Sequence, residues 1–159
     1  MTGRAAARAT WLRTGLVLVC VVATDQLVKA LVTGSLERGE QRDIVAGIKL
    51  VNTRNTGVAF GQLQGGGIIV AILIGLAVVT LVAYVARNAQ RRWLWLPAGL
   101  LLGGAAGNVV DRIREGAVVD FLKLPHWPAF NLADASITIG VLVLLFVMER
   151  GGDGARGPA

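Results

Sequence analysis

The chain has one cysteine, Cys20, and one histidine, His126, among its 159 residues. A single cysteine excludes an internal disulfide, and a single histidine makes a His-rich metal site or a Ser-His-Asp triad a poor fit. Charge is scarce too: 16% of the residues are charged and 54% hydrophobic, where soluble domains carry about 25% charged residues. That balance, with a mean hydropathy of +0.62, points to a protein that crosses a bilayer several times. The net charge of +6 does not indicate nucleic acid, because the basic residues form no stripe interleaved with aromatics. Several of them flank apolar segments, where lipid headgroups are the natural neighbours. No internal repeat or low-complexity linker divides the chain, so residues 1–159 read as one integral membrane domain.

A bilayer core about 30 Å thick takes roughly 20 apolar residues of helix. Four such runs are present, at residues 11–32, 67–86, 93–110 and 132–148. The first follows Arg4, Arg8 and Arg13 and is interrupted late by Asp25, Gln26 and Lys29; the second carries no charge. The third opens with Trp93 and Trp95, suited to a headgroup boundary, and has Pro97 near its start, where a missing N–H costs least. The fourth is short and carries Asp134 near its start. The N-terminus also fits a secretory signal ending at Val21-Val22-Ala23, but the apolar pattern runs on to Val32, which favours a span. Val19 stands before Cys20 where a lipoprotein signal needs a small residue. Arg87, Arg91 and Arg92 crowd one short loop, so the positive-inside rule puts both termini in the cytoplasm. Residues 151–159, rich in glycine, read as a disordered tail.

Between the first two spans, Ile48-Lys49-Leu50-Val51 leans to β structure and the stretch from Asn52 to Gly57 is turn-rich. The expected fold is therefore an all-α membrane protein of four transmembrane helices, with a small extramembrane sheet between spans one and two. The second outer segment, residues 111–131, reads as a compact loop whose Trp127 can rest at the lipid interface.

In a four-span chain the end of span one, the start of span two, the end of span three and the start of span four share one side. Every unusual polar residue falls there: Asp25 and Lys29, the Asn52 to Gly61 stretch, Asn108, Asp111 and Arg112, Asp120, and Asn131 with Asp134. Ionisable residues at membrane depth are costly and face a bundle interior or a wet cavity. Each has a plainer reading. Asp25 and Lys29, four apart, either pair with each other or organise a site. Asp111 and Arg112 read as an interfacial anchor, and Gly103-Gly104-Ala105-Ala106-Gly107 as a close helix-packing surface. Asp134 suits a helix N-terminus, and Asp120 alone is an ordinary loop acid. As a pair, Asp120 and Asp134 suggest more, because two carboxylates sharing a site hold one proton between them. One then acts as base on water while the other acts as acid. Competing nucleophiles are few. Cys20 reads as a packing residue in apolar surroundings, Ser136 as a small residue at a helix contact rather than half of a Ser-Lys pair with Lys29, and His126 as a surface histidine.

Five blocks carry a resemblance: Thr24-Asp25-Gln26 with Lys29, Asn52-Thr53-Arg54-Asn55-Thr56-Gly57-Val58-Ala59-Phe60-Gly61, Gly107-Asn108-Val109-Val110-Asp111-Arg112, Val118-Val119-Asp120-Phe121, and Phe130-Asn131-Leu132-Ala133-Asp134. In this order they resemble the signature blocks of the lipoprotein signal peptidases, or signal peptidase II, over roughly residues 11–148. The resemblance implies an aspartic endopeptidase of the bacterial inner membrane, with its site at the outer face. Such an enzyme cleaves diacylglyceryl-modified prolipoproteins before the lipidated cysteine. Asp120 and Asp134 match the catalytic pair. Asn55, Asn108, Arg112 and Asn131 match positions that shape the site or contact substrate, and Asp25, Lys29, Gly57 and Asp111 match supporting ones. The resemblance further implies a β-cradle in the first outer segment, a mobile flap in the second, and inhibition by globomycin-type peptides. It implies no metal and no cofactor. The connection from Asp120 to Asp134 is short for the family, which bears on the reach of the flap. The rival reading, a small proton-coupled carrier or channel subunit relaying protons through Asp25, Lys29 and Asp134, leaves the gathering of polar residues at one face without a purpose.

Overall fold

Four helices and one small sheet make up the computed structural model, which describes residues 3–56 and 66–152. The helices are α1 (Gly3–Ser35), α2 (Gly66–Asn88), α3 (Trp95–Glu115) and α4 (Leu132–Gly152). The strands β1 (Gln41–Val45), β2 (Ile48–Asn55) and β3 (Val118–Lys123) form an antiparallel sheet in the order β1-β2-β3. Each helix covers most or all of the apolar run expected of it, with different bounds. α3 starts at Trp95, leaving Trp93 in the preceding turn, and α4 runs on through Gly152, into the stretch expected as a tail. Residues 153–159, and Gly57 with the remainder of its block, lie outside the described residues.

α1 is turned inside out relative to a helix of a soluble protein. Its buried residues are Thr10, Thr14, Asp25, Lys29 and Val32, while Leu12, Leu16, Val19, Leu27 and Leu31 are exposed. α4 likewise exposes Ile139, Leu142, Leu145 and Phe146. Apolar side chains facing outward and polar ones inward suit a lipid surround. Among the described residues, α1 and α4 are long and apolar enough to cross a membrane. Cys20 departs from its expected packing role: it is exposed on α1.

α3 packs along both α1 and α4, and α2 lies more lightly against α3. The small residues of α3 permit the close approach. A Cβ at Gly104 would collide with the Ala133 carbonyl oxygen, and one at Gly107 would stand 2.9 Å from Asp25 Oδ2. The Gly103 to Gly107 run is thus the packing surface its composition suggests. Gly116, with φ 70, ends α3 by donating its N–H to Arg112 O, a left-handed cap that glycine adopts without strain.

β1 and β2 join through Ala46 and Gly47, both at positive φ (46 and 80), as in a two-residue hairpin whose twist matches its strands. Several expectations need correction. The sheet is not confined to the segment between the first two helices, since β3 comes from the second outer segment. Thr53, Arg54 and Asn55 continue β2 rather than turning, because β3 offers them Asp120, Val119 and Val118 as partners. Asp120 accordingly sits on a strand and not in a loop. Nor is the segment from Asp120 to Asp134 a free flap at its base: Phe121 and Leu122 donate to Phe130 O, and Phe130 donates back to Leu122 O. Val118, Val119 and Phe121 are buried beneath it, and Phe121 packs with Val32 and Leu36 at the end of α1. That apolar contact holds the sheet on the helix ends.

Candidate active site

A buried ion cluster ties three helices to the sheet. Lys29 Nζ lies 2.7 Å from Asp25 Oδ2 and 2.6 Å from Asp111 Oδ2, with all three side chains buried. The i, i+4 spacing of Asp25 and Lys29 puts them on one face of α1, and the glycine face of α3 brings Asp111 to them. Asp25 and Lys29 therefore pair with each other, and through Asp111 the pair also ties α1 to α3. The second oxygen of Asp25 accepts the Ala133 N–H in the first turn of α4 at 3.0 Å. Asp111 Oδ2 also accepts the Val119 N–H of β3 at 3.0 Å, and its Oδ1 accepts from Gln26 Nε2 at 2.8 Å. Two buried carboxylates against one ammonium are tolerable because amide donors fill the remaining lone pairs.

Directly above, four elements converge through asparagines. Asn131 caps α4 reciprocally with Asp134: the Asp134 N–H donates to Asn131 Oδ1 at 2.9 Å, and the Asn131 N–H donates to Asp134 Oδ2 at 3.3 Å. This is a capping box, with its acid at the third helical position. The Asn131 amide, almost fully buried, also donates to Asp120 Oδ1 at 2.9 Å and to Asn108 Oδ1 at 3.1 Å. Asn108 Nδ2 in turn donates to Asp134 Oδ1 at 2.7 Å. Asn55, diagonal to Asp120 across the β2–β3 pair, donates to its Oδ2 at 3.0 Å. Asp120 and Asp134 are thus joined by a continuous chain of amides.

Burial pushes the Asp120 carboxyl up to about 6, with the nearby Asp134 charge adding to the rise. The hydrogen bonds from Asn55 and Asn131 and the charge of Lys29 work against it. Asp120 is buried and Asp134 half-buried, so the environment differs between the two acids, as an acid and base pair requires. Arg112 is half-buried and donates to Asn108 O at 3.2 Å; among the described residues it has no carboxylate in ion-pair range. Among the described residues, no three His, Cys, Asp or Glu side chains gather as a metal site.

Asp25, Lys29, Asn55, Asn108, Asp111, Arg112, Asp120, Asn131 and Asp134, singled out from the sequence, all gather at this one end. Four participants were given no role of their own from the sequence. Gln26 bridges α1 to Asp111, Asn52 donates to Leu36 O at 2.7 Å, and Arg54 pairs with Glu115 at 2.6 Å. Gln26, Asn52 and Arg54 carried a signal, being polar residues inside otherwise telling blocks; Glu115 carried none, since surface acids are common. His126 and Trp127 are exposed, and Ser136 is buried on α4 while Lys29 is committed to two carboxylates.

The signal peptidase (SPase) II family matches residues 17–149 of the chain. A lipoprotein signal peptidase of Halothermothrix orenii is 36% identical over 142 residues, covering 87% of this chain and 98% of its own. One from an Azoarcus species is 41% identical over 140 residues, covering 83% and 80%. A solved bacterial membrane enzyme, determined by the in meso method, superposes with a TM-score of 0.78 at 30% identity, covering 85% of this chain and 91% of that one. A second gives 0.80 at 28% identity, covering 92% and 93%. Taken with outward-facing apolar helices and two acids wired together at one end of the bundle, these likenesses establish that the chain is a bacterial membrane peptidase belonging to the signal peptidase II family.

Proposed function

We propose that Asp120 and Asp134 are the catalytic dyad of this peptidase and that it removes the signal peptide from diacylglyceryl-modified prolipoproteins, cleaving before the lipidated cysteine. The observation that carries the reading is the amide chain from Asp120 through Asn131 and Asn108 to Asp134, which holds two acids in one site with unequal burial. The mechanism needs one proton between the two carboxyl groups. One carboxylate takes a proton from water as the water oxygen bonds to the scissile carbonyl carbon; the other protonates the carbonyl oxygen. When the C–N bond breaks, the leaving amine receives a proton from the dyad. Asn55, Asn108 and Asn131 hold the carboxylates. Arg112, free of a carboxylate partner among the described residues, has guanidinium donors left to orient the substrate backbone. Asp25, Lys29 and Asp111 hold β3, which carries Asp120, and the start of α4, which carries Asp134, and Gly57 belongs to the same supporting set.

Four membrane spans, one per helix, accord with this chemistry. Even the shorter helices, α3 and α4 at 21 residues each, are about 31 Å long at 1.5 Å per residue, close to the thickness of a bilayer core. The basic loop of Arg87, Arg91 and Arg92 favours cytoplasmic termini, which leaves the dyad at the outer face of the inner membrane. The sheet then acts as the β-cradle for the polar stretch of the substrate, while the diacylglyceryl chains stay in lipid. Globomycin-type peptides would inhibit by occupying the dyad. The relay alternative has no observation in its favour, because the mid-helix residues of α2 and α3 are uncharged.

The test is cleavage of a diacylglyceryl-modified prolipoprotein by wild type, Asp120→Asn and Asp134→Asn, each checked for folding. Loss of cleavage in both folded variants is the expected result; retained cleavage in either breaks the two-carboxylate mechanism.

A further inference from the structure

At the end of the bundle opposite the dyad, the turn between α2 and α3 meets the last turns of α4 around a cavity of about 800 Å³. Arg91, Arg92 and Arg150 stand around it, with Leu96, Val143 and Phe146 among its apolar walls. Among the described residues, none of the three arginines has a carboxylate in ion-pair range. Two are instead laid on aromatic rings: Arg150 lies 4.3 Å from the Phe146 centroid and Arg92 lies 5.6 Å from that of Trp93. Such stacking holds a guanidinium at an apolar surface with its donor edge still unused. Trp93 itself has φ 72, a backbone conformation that bulky residues rarely take. An adjoining cavity of about 470 Å³ shares Arg91, Arg92 and Trp93 and adds Arg13, whose guanidinium lies 6.0 Å from the Trp95 ring.

We propose that this groove is a binding site for an anionic phospholipid, its phosphate held by Arg91, Arg92 and Arg150 and its acyl chains lying along Val143 and Phe146 of α4. The occupant is read from two complementarities. Three cations without a carboxylate partner among the described residues call for an anion. The apolar wall of Val143 and Phe146 continues along the same face of α4 to Ile139, with Ile139 and Phe146 both exposed, which gives hydrocarbon a place that a free inorganic anion would not use. Basic pockets between membrane helices hold anionic headgroups by this combination of charge and apolar wall. The site is far from the proposed dyad along the helices and does not depend on the peptidase mechanism.

The experiment uses the purified full chain in neutral detergent, exposed to equimolar phosphatidylglycerol and phosphatidylcholine, with retained lipid read by native mass spectrometry. Wild type is expected to retain phosphatidylglycerol preferentially, by about fivefold for each arginine engaged. Arg91→Gln/Arg92→Gln/Arg150→Gln should lose the preference. A charge-matched control at exposed positions, Arg4→Gln/Arg8→Gln/Arg87→Gln, should keep it. If the triple variant does not fold, Arg150→Gln alone, at the exposed end of α4, should still lower the preference several-fold. Equal retention of the two lipids by wild type would overturn the proposal, as would a preference undiminished by removing the pocket arginines or equally diminished in the control. Displacement of the phosphatidylglycerol by millimolar inorganic phosphate would also overturn it, since a free anion would then be the ligand.

Discussion

Asn131 and Asp120 meet through a 2.9 Å hydrogen bond from the Asn131 amide, while the oxygen of that same amide caps the helix that carries Asp134. One side chain therefore sets the position of both acids. Replacing Asn131 by Ala removes the cap and the Asp120 donor together, whereas Ser keeps a capping oxygen but cannot reach Asp120. Asn131→Ala should lose about 1 kcal/mol of stability and Asn131→Ser much less. Both should lose cleavage by at least about tenfold, or about 1.4 kcal/mol of barrier. Thermal melting beside prolipoprotein turnover separates the two effects; full activity in Asn131→Ser would remove Asn131 from the proposed site.

The raised Asp120 carboxyl makes a signed prediction about pH. Between the ordinary value of 3.8 and about 6, the folded chain binds more protons than the unfolded chain, so stability falls as pH rises through that window. The unfavourable contribution is complete above about 6 and absent below about 4. Stability measured from pH 4 to 7 should fall less steeply in Asp120→Asn than in wild type; equal slopes would mean that Asp120 ionises as it does in water.

Asn55 donates to the ionised form of Asp120 and so holds its carboxyl below where burial alone would put it. Asn55→Ala should raise that carboxyl further and move the acidic limb of the kcat/KM pH profile to higher pH. An unmoved limb would show that Asp120 does not govern it.

Lys29 pairs with both Asp25 and Asp111, and all three side chains are buried. Lys29→Met leaves two buried carboxylates facing each other and should cost about 3–5 kcal/mol, the range for breaking a buried pair from one side. Unfolding monitored in detergent should show the variant melting far below wild type. A melting temperature like that of wild type would contradict the role given to the cluster.

Gly104 is the point where α3 touches the Ala133 carbonyl, one turn from Asn108 on α3 and next to Asp134 on α4. Gly104→Ala should part the helices, costing about 1–3 kcal/mol by overpacking, and should lower cleavage by loosening the Asn108 to Asp134 bond. Gly75→Ala, where a Cβ meets nothing within 4 Å, is the control and should be neutral in both assays.

Helices were legible because bilayer-length apolar runs have one common solution, a backbone bonded within itself. Their polar interruptions were legible for the same reason, since an acid inside such a run demands an explanation. The sheet was half legible. Ile48 to Val51 showed β character, but nothing local in Val118 to Lys123 said that it would pair with β2 rather than loop, because strand pairing depends on partners distant in sequence. Asn55, expected in a turn, lies in a strand for that reason.

By itself, the sequence determined the class of protein and the end of the bundle where polar residues collect. Composition and span spacing suffice for those, being set by the energetics of apolar surface and buried charge; the pairing of Asp120 with Asp134 came from the resemblance of their blocks to a known family. Only the tertiary structure decided that Lys29 serves two carboxylates at once, that Asn131 and Asn108 connect Asp120 to Asp134, and that Asp120 is buried on a strand with its carboxyl raised. Hydrogen bonds reach about 3 Å and depend on direction, so their partners are fixed by how α1, α3, α4 and β3 pack together, which no local stretch of the chain encodes.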